Sequence, residues 1–225
     1  MTPLLKIELH CHTYASGDSL VDPRDLLDEA RRKGVDRLAI TDHNEIWAAL
    51  EAQQMDPERV IVGEEILTTG GELLAFFVKE KVPRGLKPEA AIERLREQGA
   101  YISVSHPFDR QRHGWALADL EAIAPLVDAV EVFNARCVLP QINRSAQDFA
   151  EAHHLAGTVG SDAHLLWEVG RATLRVRPFT TRDEFAEAVR GGQMEGGASP
   201  LWVRFGSLFA KSQKRLVKGL DARRR

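Results

Sequence analysis

The chain has 225 residues, 44% hydrophobic and 28% charged, which suffices for one sizeable core and fits a single α/β domain. Its two cysteines, Cys11 and Cys137, lack paired spacing, which excludes a disulfide framework or a cysteine-built zinc finger, and no run of about 18 apolar residues is present to span a membrane. The net charge of −3 hides an asymmetry: residues 201–225 carry eight Lys/Arg against the single Asp221, a balance of +7, and the rest of the chain carries −10.

The first residues, MTPLLKIELH, show no basic stretch followed by a long apolar one, so no leader is expected, and a soluble cytoplasmic location is. Strand-like runs follow at Lys6 to Leu9, Arg37 to Thr41, Val60 to Val62, Leu73 to Val78, Tyr101 to Val104, Ala129 to Phe133, Ala156 to Val159 and Thr173 to Val176. Amphipathic helical stretches lie between most of them, such as Pro23 to Lys33 closed by Gly34, Pro88 to Gln98 closed by Gly99, and Leu139 to His153. Alternating strands and helices predict βα units and a mainly parallel, barrel-like sheet. Val60 to Val78 leaves no room for a helix around Thr68-Thr69-Gly70-Gly71-Glu72 and reads as a hairpin. Gly191 to Pro200 reads as a linker, giving a barrel domain over 1–198 and a basic helical tail over 199–225.

Chemistry gathers where the strands run out. Side chains two apart share a strand face, so His10 and His12 point together and Cys11 points away, while Gly17 in the following loop allows Asp18 to fold back over them. Thr41-Asp42-His43-Asn44 ends the next strand; Asp42 there is a ligand, a support for a ligand histidine, or a helix cap. Period two lets one of Glu64 and Glu65 face inward. Later strands end in His106-Pro107 and in Ser161-Asp162-Ala163-His164. Five of the eight histidines thus fall at carboxyl ends of successive strands, where barrel enzymes build their sites, and mixed N/O ligation suits Zn, Mn or Fe better than Ca.

Taken in order, His10-x-His12, Thr41-Asp42-His43, Gly63-x-Glu65, Ser105-His106-Pro107, Glu131-x-x-Asn134 and Ser161-Asp162-x-His164 resemble the motifs of the polymerase and histidinol phosphatase (PHP) family, over residues 10 to about 176. The resemblance implies a distorted seven-stranded βα (TIM-like) barrel with two or three divalent ions (Mn, Zn or Fe) at its C-terminal face. It also implies the ligand set His10, His12, Asp18, His43, Glu65, His106, Asp162 and His164, with Glu65 rather than Glu64 bridging. Two departures stand out: Asp18 occupies a place where some relatives have histidine, and Asn134 lies near another histidine position, leaving one ion loosely held or with an open position.

The expected activity is metal-dependent hydrolysis of a phosphomonoester or phosphodiester in a small metabolite, nucleotide or short oligonucleotide, by a metal-bound hydroxide. Arg136 and Arg171 are the first choices for phosphate contacts, with Arg110 and Arg112 behind them, and His164 or a water protonates the leaving group. His153 and His154 read as last-turn helix residues and His113 as a loop residue near substrate. Trp47, Trp115 and Trp167 stack on a base or pack.

In the tail, Leu201, Phe205, Leu208, Phe209, Leu216 and Leu220 share one helical side while Arg204, Lys211, Lys214, Arg215 and Lys218 gather on another. That pattern reads first as a helix packed on the barrel with its charged side outward, and second as a contact for nucleic acid or an anionic surface. Two rival functions remain: an amidohydrolase-like hydrolase, which typically adds a lysine ligand where this chain has none between Lys87 and Lys211, and a non-catalytic metal-stabilised docking or nucleic-acid-binding module.

Overall fold

The computed structural model describes residues 3–200 and 202–222; the side chains of 204, 215 and 217–222 fall outside that description, as do Leu201 and Arg223 to Arg225. The elements are β1 (Leu5–Cys11), α1 (Pro23–Arg32), β2 (Arg37–Ile40), α2 (Trp47–Met55), β3 (Val60–Leu67), β4 (Glu72–Phe76), α3 (Pro88–Glu97), β5 (Tyr101–Val104), α4 (Leu117–Ile123), β6 (Ala129–Asn134), α5 (Pro140–Ala152), β7 (Ala156–Gly160), β8 (Ala172–Val176), α6 (Arg182–Arg190), β9 (Gln193–Gly196) and α7 (Val203–Ala222). Local chemistry sets their ends. Asp22 caps α1 by accepting from the Arg24 amide at 2.8 Å, Pro23 opens its first turn, and Gly34 leaves it at φ +65°.

Among the described residues nine strands form one sheet in the order β7-β6-β5-β4-β3-β2-β1-β8-β9, which corrects the expected seven. Strands β1 to β3 and β5 to β7 pair in parallel, and β4 is antiparallel to both its neighbours. The ring closes at its carboxyl end, where the His12 amide donates to Ala163 O at 2.8 Å and the Ala163 amide to His10 O at 3.2 Å. At the other end β8 and then β9 extend the sheet beside β1, both antiparallel. The ninth strand lies inside the segment read as a linker. All four of its residues, Gln193 to Gly196, are exposed, so no alternation of apolar residues marks it in the sequence.

The hairpin forms as expected, with Leu67 opposite Glu72 and the Thr68 amide donating to Gly71 O at 2.9 Å. Trp115 packs flat against its turn, buried, with Nε1 donating to Glu72 O at 3.1 Å, so this tryptophan is a packing residue. A Cβ on Gly71 would stand 2.4 Å from Trp115 Nε1, which is why glycine occupies that turn. One apolar cluster fills the space between sheet and helices, and a second joins Ile7, Ile61, Phe76 and Tyr101 to Phe185 and Val189 of α6, at the end of the barrel opposite the strand-end histidines.

Helix α7 does pack on the barrel, but by the opposite side from the one expected. Val203, Ser207 and Ala210 are buried, whereas Phe205, Leu208, Phe209 and Leu216 are exposed. Among the described residues no helix is long and apolar enough to cross a membrane.

Candidate metal centre

The register between β1 and β2 slips between Glu8 and Cys11, a bulge that turns the end of β1 toward the barrel mouth. There His10 Nε2 lies 3.3 Å and His12 Nε2 3.4 Å from Glu65 Oε2, and Asp162 Oδ1 is 3.8 Å and 3.4 Å from the same two nitrogens. Donors about 2.0–2.2 Å from one tetrahedral ion stand roughly 3.3–3.6 Å apart, close to these four separations, and donor atoms of His10, His12 and Asp162 all lie within 4.8 Å of one another. His10 Nε2, His12 Nε2, Glu65 Oε2 and Asp18 Oδ1 are moreover buried polar atoms without a hydrogen-bond partner, a costly state that a cation relieves.

A second set lies beside the first. Asp18 Oδ1 is 3.2 Å from His164 Nε2 and 3.6 Å from His43 Nε2. A third forms around His106 Nε2, 3.2 Å from Glu65 Oε1 and 3.6 Å from Glu72 Oε2. The eight residues of the expected ligand set are therefore brought together, and Glu65, on the inward face of β3, touches both the first and third groups. Glu64 points the other way, with Oε2 accepting from the Val82 amide at 2.9 Å.

Supporting hydrogen bonds aim the imidazoles. His10 Nδ1 donates to Glu131 Oε1 at 2.8 Å, and Glu131 Oε2 accepts from the His106 amide at 2.9 Å and Asn134 Nδ2 at 3.0 Å. His12 Nδ1 meets Ser16 Oγ at 3.0 Å, and Ser16 Oγ donates to Asp42 Oδ1 at 2.6 Å. Asp42 also accepts from the Thr13 amide and hydroxyl at 2.7 and 2.6 Å, so both its oxygens are engaged in holding the 13–16 loop. It supports His12 and does not face the donor groups. Asn134 is likewise saturated: Nδ2 donates to Glu131 and Asp162, and Oδ1 accepts from the Arg136 amide at 2.9 Å and Arg112 Nη2 at 3.2 Å. Neither residue is placed as a ligand. Asp162 sits at φ +54° and His106 at φ +22°, backbone strain of the kind that gathers at functional sites.

Glu72 is the residue that sequence reasoning missed, because it was read as part of the turn. The signal was available: Leu74 and Phe76 of β4 join the same apolar cluster as Ile61 of β3, and period two places Glu72 on their face.

The arginines differ from expectation. Arg136 is buried, with Nε on Glu168 Oε1 at 2.8 Å, Nη1 3.0 Å from His164 Nδ1, and Nη2 donating to Val203 O and Ser207 Oγ. It lines the cavity, and at the same time positions His164 and anchors α7. Arg171 lies over the Trp167 ring at 4.8 Å and donates to Ala198 O, outside the cavity. Arg112 instead enters the site, donating to Asp109 Oδ2, Asp162 Oδ2, Asn134 Oδ1 and Cys137 Sγ, while Arg110 is exposed. His153 pairs with Glu121 at 3.0 Å at the end of α5.

The electrostatics are those of a charged cluster out of water. Burial would raise the Glu65 and Asp162 carboxyls, but His10 and His43 hold Glu65, and His10 and Arg112 hold Asp162, well below the usual carboxylate range. Burial would lower His10, yet Glu65, Glu131 and Asp162 hold it well above the imidazole range; His12, buried and beside His164 and His43, falls well below. Burial and then the Glu65 charge push Glu72 up to about 7. A cavity of ≈ 750 Å³ opens over these groups, lined among others by Asp18, Glu72, Asp162, Arg84, His113 and Lys211.

Comparison with known proteins follows the same lines. Residues 8–98 match the PHP domain and residues 140–194 the PHP-associated domain PHP_C. The uncharacterized protein MJ1587 of Methanocaldococcus jannaschii is 38% identical over 146 residues, 58% of this chain and 82% of that one. A two-domain protein from Bacteroides vulgatus, containing a predicted PHP-like metal-dependent phosphoesterase, superposes with a TM-score of 0.70 at 20% identity, over 86% of this chain and 65% of that one. Endonuclease Q, in complex with a 27-mer duplex carrying an abasic lesion at the active site, gives a TM-score of 0.64 at 15% identity, over 85% of this chain and 58% of that one. The two matching domains span the elements that carry most of the candidate ligands, and the solved structures share the fold. The chain belongs to the PHP domain family.

Proposed function

We propose that the protein is a metal-dependent phosphoesterase in which His10, His12, Glu65 and Asp162 hold one divalent ion, His43, Asp18 and His164 a second, and His106, Glu65 and Glu72 a third. The observation that carries this reading is the set of buried, partnerless donor atoms converging at ligand spacing. Divalent ions bound there would supply Lewis acidity and lower the pKa of water toward neutral.

The chain's own residues do the rest. Arg112 neutralises Asp162 from the side away from the histidines and holds it in place. Lys211 Nζ, 3.3 Å from Asp18 Oδ2, stands at the cavity wall where it meets the charge of an incoming phosphate, with Arg84 across the mouth. His164 is taken up as an ion ligand, so proton delivery to the leaving group passes to His113, which lines the cavity outside the donor groups.

The substrate is an anionic phosphoester. A diester within a nucleic-acid strand is a second reading, favoured by the basic mouth formed by Arg84 and Lys211 and by the likeness to Endonuclease Q. Assays with p-nitrophenyl phosphate, its bis-ester and an abasic oligonucleotide, in Mn and then Zn with a chelator control, test both. Chelator-sensitive turnover supports the phosphoesterase and the preferred ester sorts the readings; no turnover of any of the three by metal-loaded protein contradicts it.

A further inference from the structure

Helix α7 has two unlike faces. The inner one is small and polar where it crosses the site loops: Arg136 Nη2 donates to Val203 O at 3.2 Å and to Ser207 Oγ at 3.0 Å, and a Cβ on Gly206 would lie 2.7 Å from Leu165 Cδ1. Lys214 Nζ donates to the carbonyls of Tyr14 and Ser16, in the loop that carries Asp18. These contacts fix which way the helix faces. The outer one is large and apolar: Phe205 is 71% exposed, Leu208 61%, Phe209 58% and Leu216 62%. Trp202, also exposed, extends this strip to Trp167, ring centroids 5.2 Å apart.

A row of this kind at the rim of a cavity calls for a partner. Charge decides which. Residues 201–225 carry a net +7, so two copies of the helix set face to face would oppose like charges. A nucleic-acid strand satisfies the charge but offers no phase for a continuous Phe/Leu row. An anionic bilayer satisfies both, the apolar row entering the acyl boundary while the net positive charge of residues 201–225 favours anionic headgroups. We propose that α7 is an interfacial helix that seats the protein on an anionic lipid surface. Leu208 and Lys211 also line the cavity, so the seated protein holds its site mouth beside the headgroup layer. This inference does not depend on the phosphoesterase reading.

The test is co-sedimentation of the full chain with vesicles of phosphatidylcholine containing about one-third phosphatidylglycerol, and with phosphatidylcholine alone. The expected result is binding to the anionic vesicles at least about tenfold tighter than to the neutral ones and weakened by salt. The double variant Phe205→Ser/Phe209→Ser is expected to lose about tenfold or more of it, with metal content and thermal midpoint unchanged, which separates lost docking from misfolding. No vesicle binding by the wild type overturns the proposal. So does binding that the double variant retains, binding confined to a DNA oligonucleotide, or a wild-type dimer that the double variant abolishes.

Discussion

At the scale of single residues, the site depends on side chains that never face its centre. Asp42 reaches His12 through Ser16 Oγ, two hydrogen bonds of 2.6 and 3.0 Å that leave His12 Nε2 as the outward donor. Asp42→Asn keeps the shape but weakens this chain, and a loss of about 10–100-fold in metal affinity is expected, read by calorimetric titration of Mn or Zn into the chelated protein. Unchanged affinity would show that Asp42 only braces the loop. The strand-end places of the histidines and Asp162 were legible in the sequence, but one H-x-H has an equally good bland reading, and only the ordered set of motifs, through its family resemblance, read them as one ligand cluster. The roles of the arginines were not legible. Arg136, Arg171 and Arg112 all follow motif strands; Arg136 and Arg112 line the cavity and Arg171 does not, and what each holds depends on partners, Glu168, Trp167 and Asp162, that are distant or unmarked in sequence.

At the scale of elements, β3 and its hairpin set which carboxylates serve the site. Glu64 is turned out of the site but stays buried, and burial pushes its pKa up from 4.5 to about 7. The folded state therefore binds a proton that the unfolded chain releases, so this group favours folding below pH 4.5 and loses that contribution as pH rises toward 7. Glu64→Gln, which keeps an acceptor for the Val82 amide, is expected to stabilise the protein by about 1–3 kcal/mol at pH 8 and to flatten the pH dependence of the melting temperature. A lower melting temperature at pH 8 would contradict this assignment. Gly71→Ala tests the turn: its Cβ would meet Trp115 Nε1 at 2.4 Å, and a loss of about 1–3 kcal/mol in denaturant melts is expected, with weaker metal binding through the displaced Glu72. The eight apolar strands were legible because they alternate or run apolar between turn residues. The exposed β9 was not, since it shows no period of its own, and Glu72 was hidden by its place in the turn, although it shares a face with Leu74 and Phe76.

At the scale of the whole molecule, the barrel and its tail share one site. Sequence alone put the large apolar side of α7 against the barrel, because that is how amphipathic helices usually pack. Close approach to Leu165, Arg136 and the 14–16 loop instead selects the side with Gly206, Ser207 and Ala210. The helix then brings Lys211 to Asp18, so deleting the tail is expected to impair small-ester turnover. Lys211→Ala is expected to raise KM about tenfold while the protein stays folded, measured by steady-state kinetics on whichever ester is turned over; an unchanged KM would place phosphate binding elsewhere. The proposed activity requires ions held by the converging donors. Metal content and phosphoesterase turnover of the same sample are measured before chelation, after it, and after re-addition of Mn or Zn, with Asp162→Ala alongside. Bound ions and turnover are expected to vanish and return together in the wild type, and the folded Asp162→Ala protein is expected to show neither full loading nor activity. Undiminished turnover in metal-free protein, or a fully loaded and active Asp162→Ala variant, would contradict this requirement.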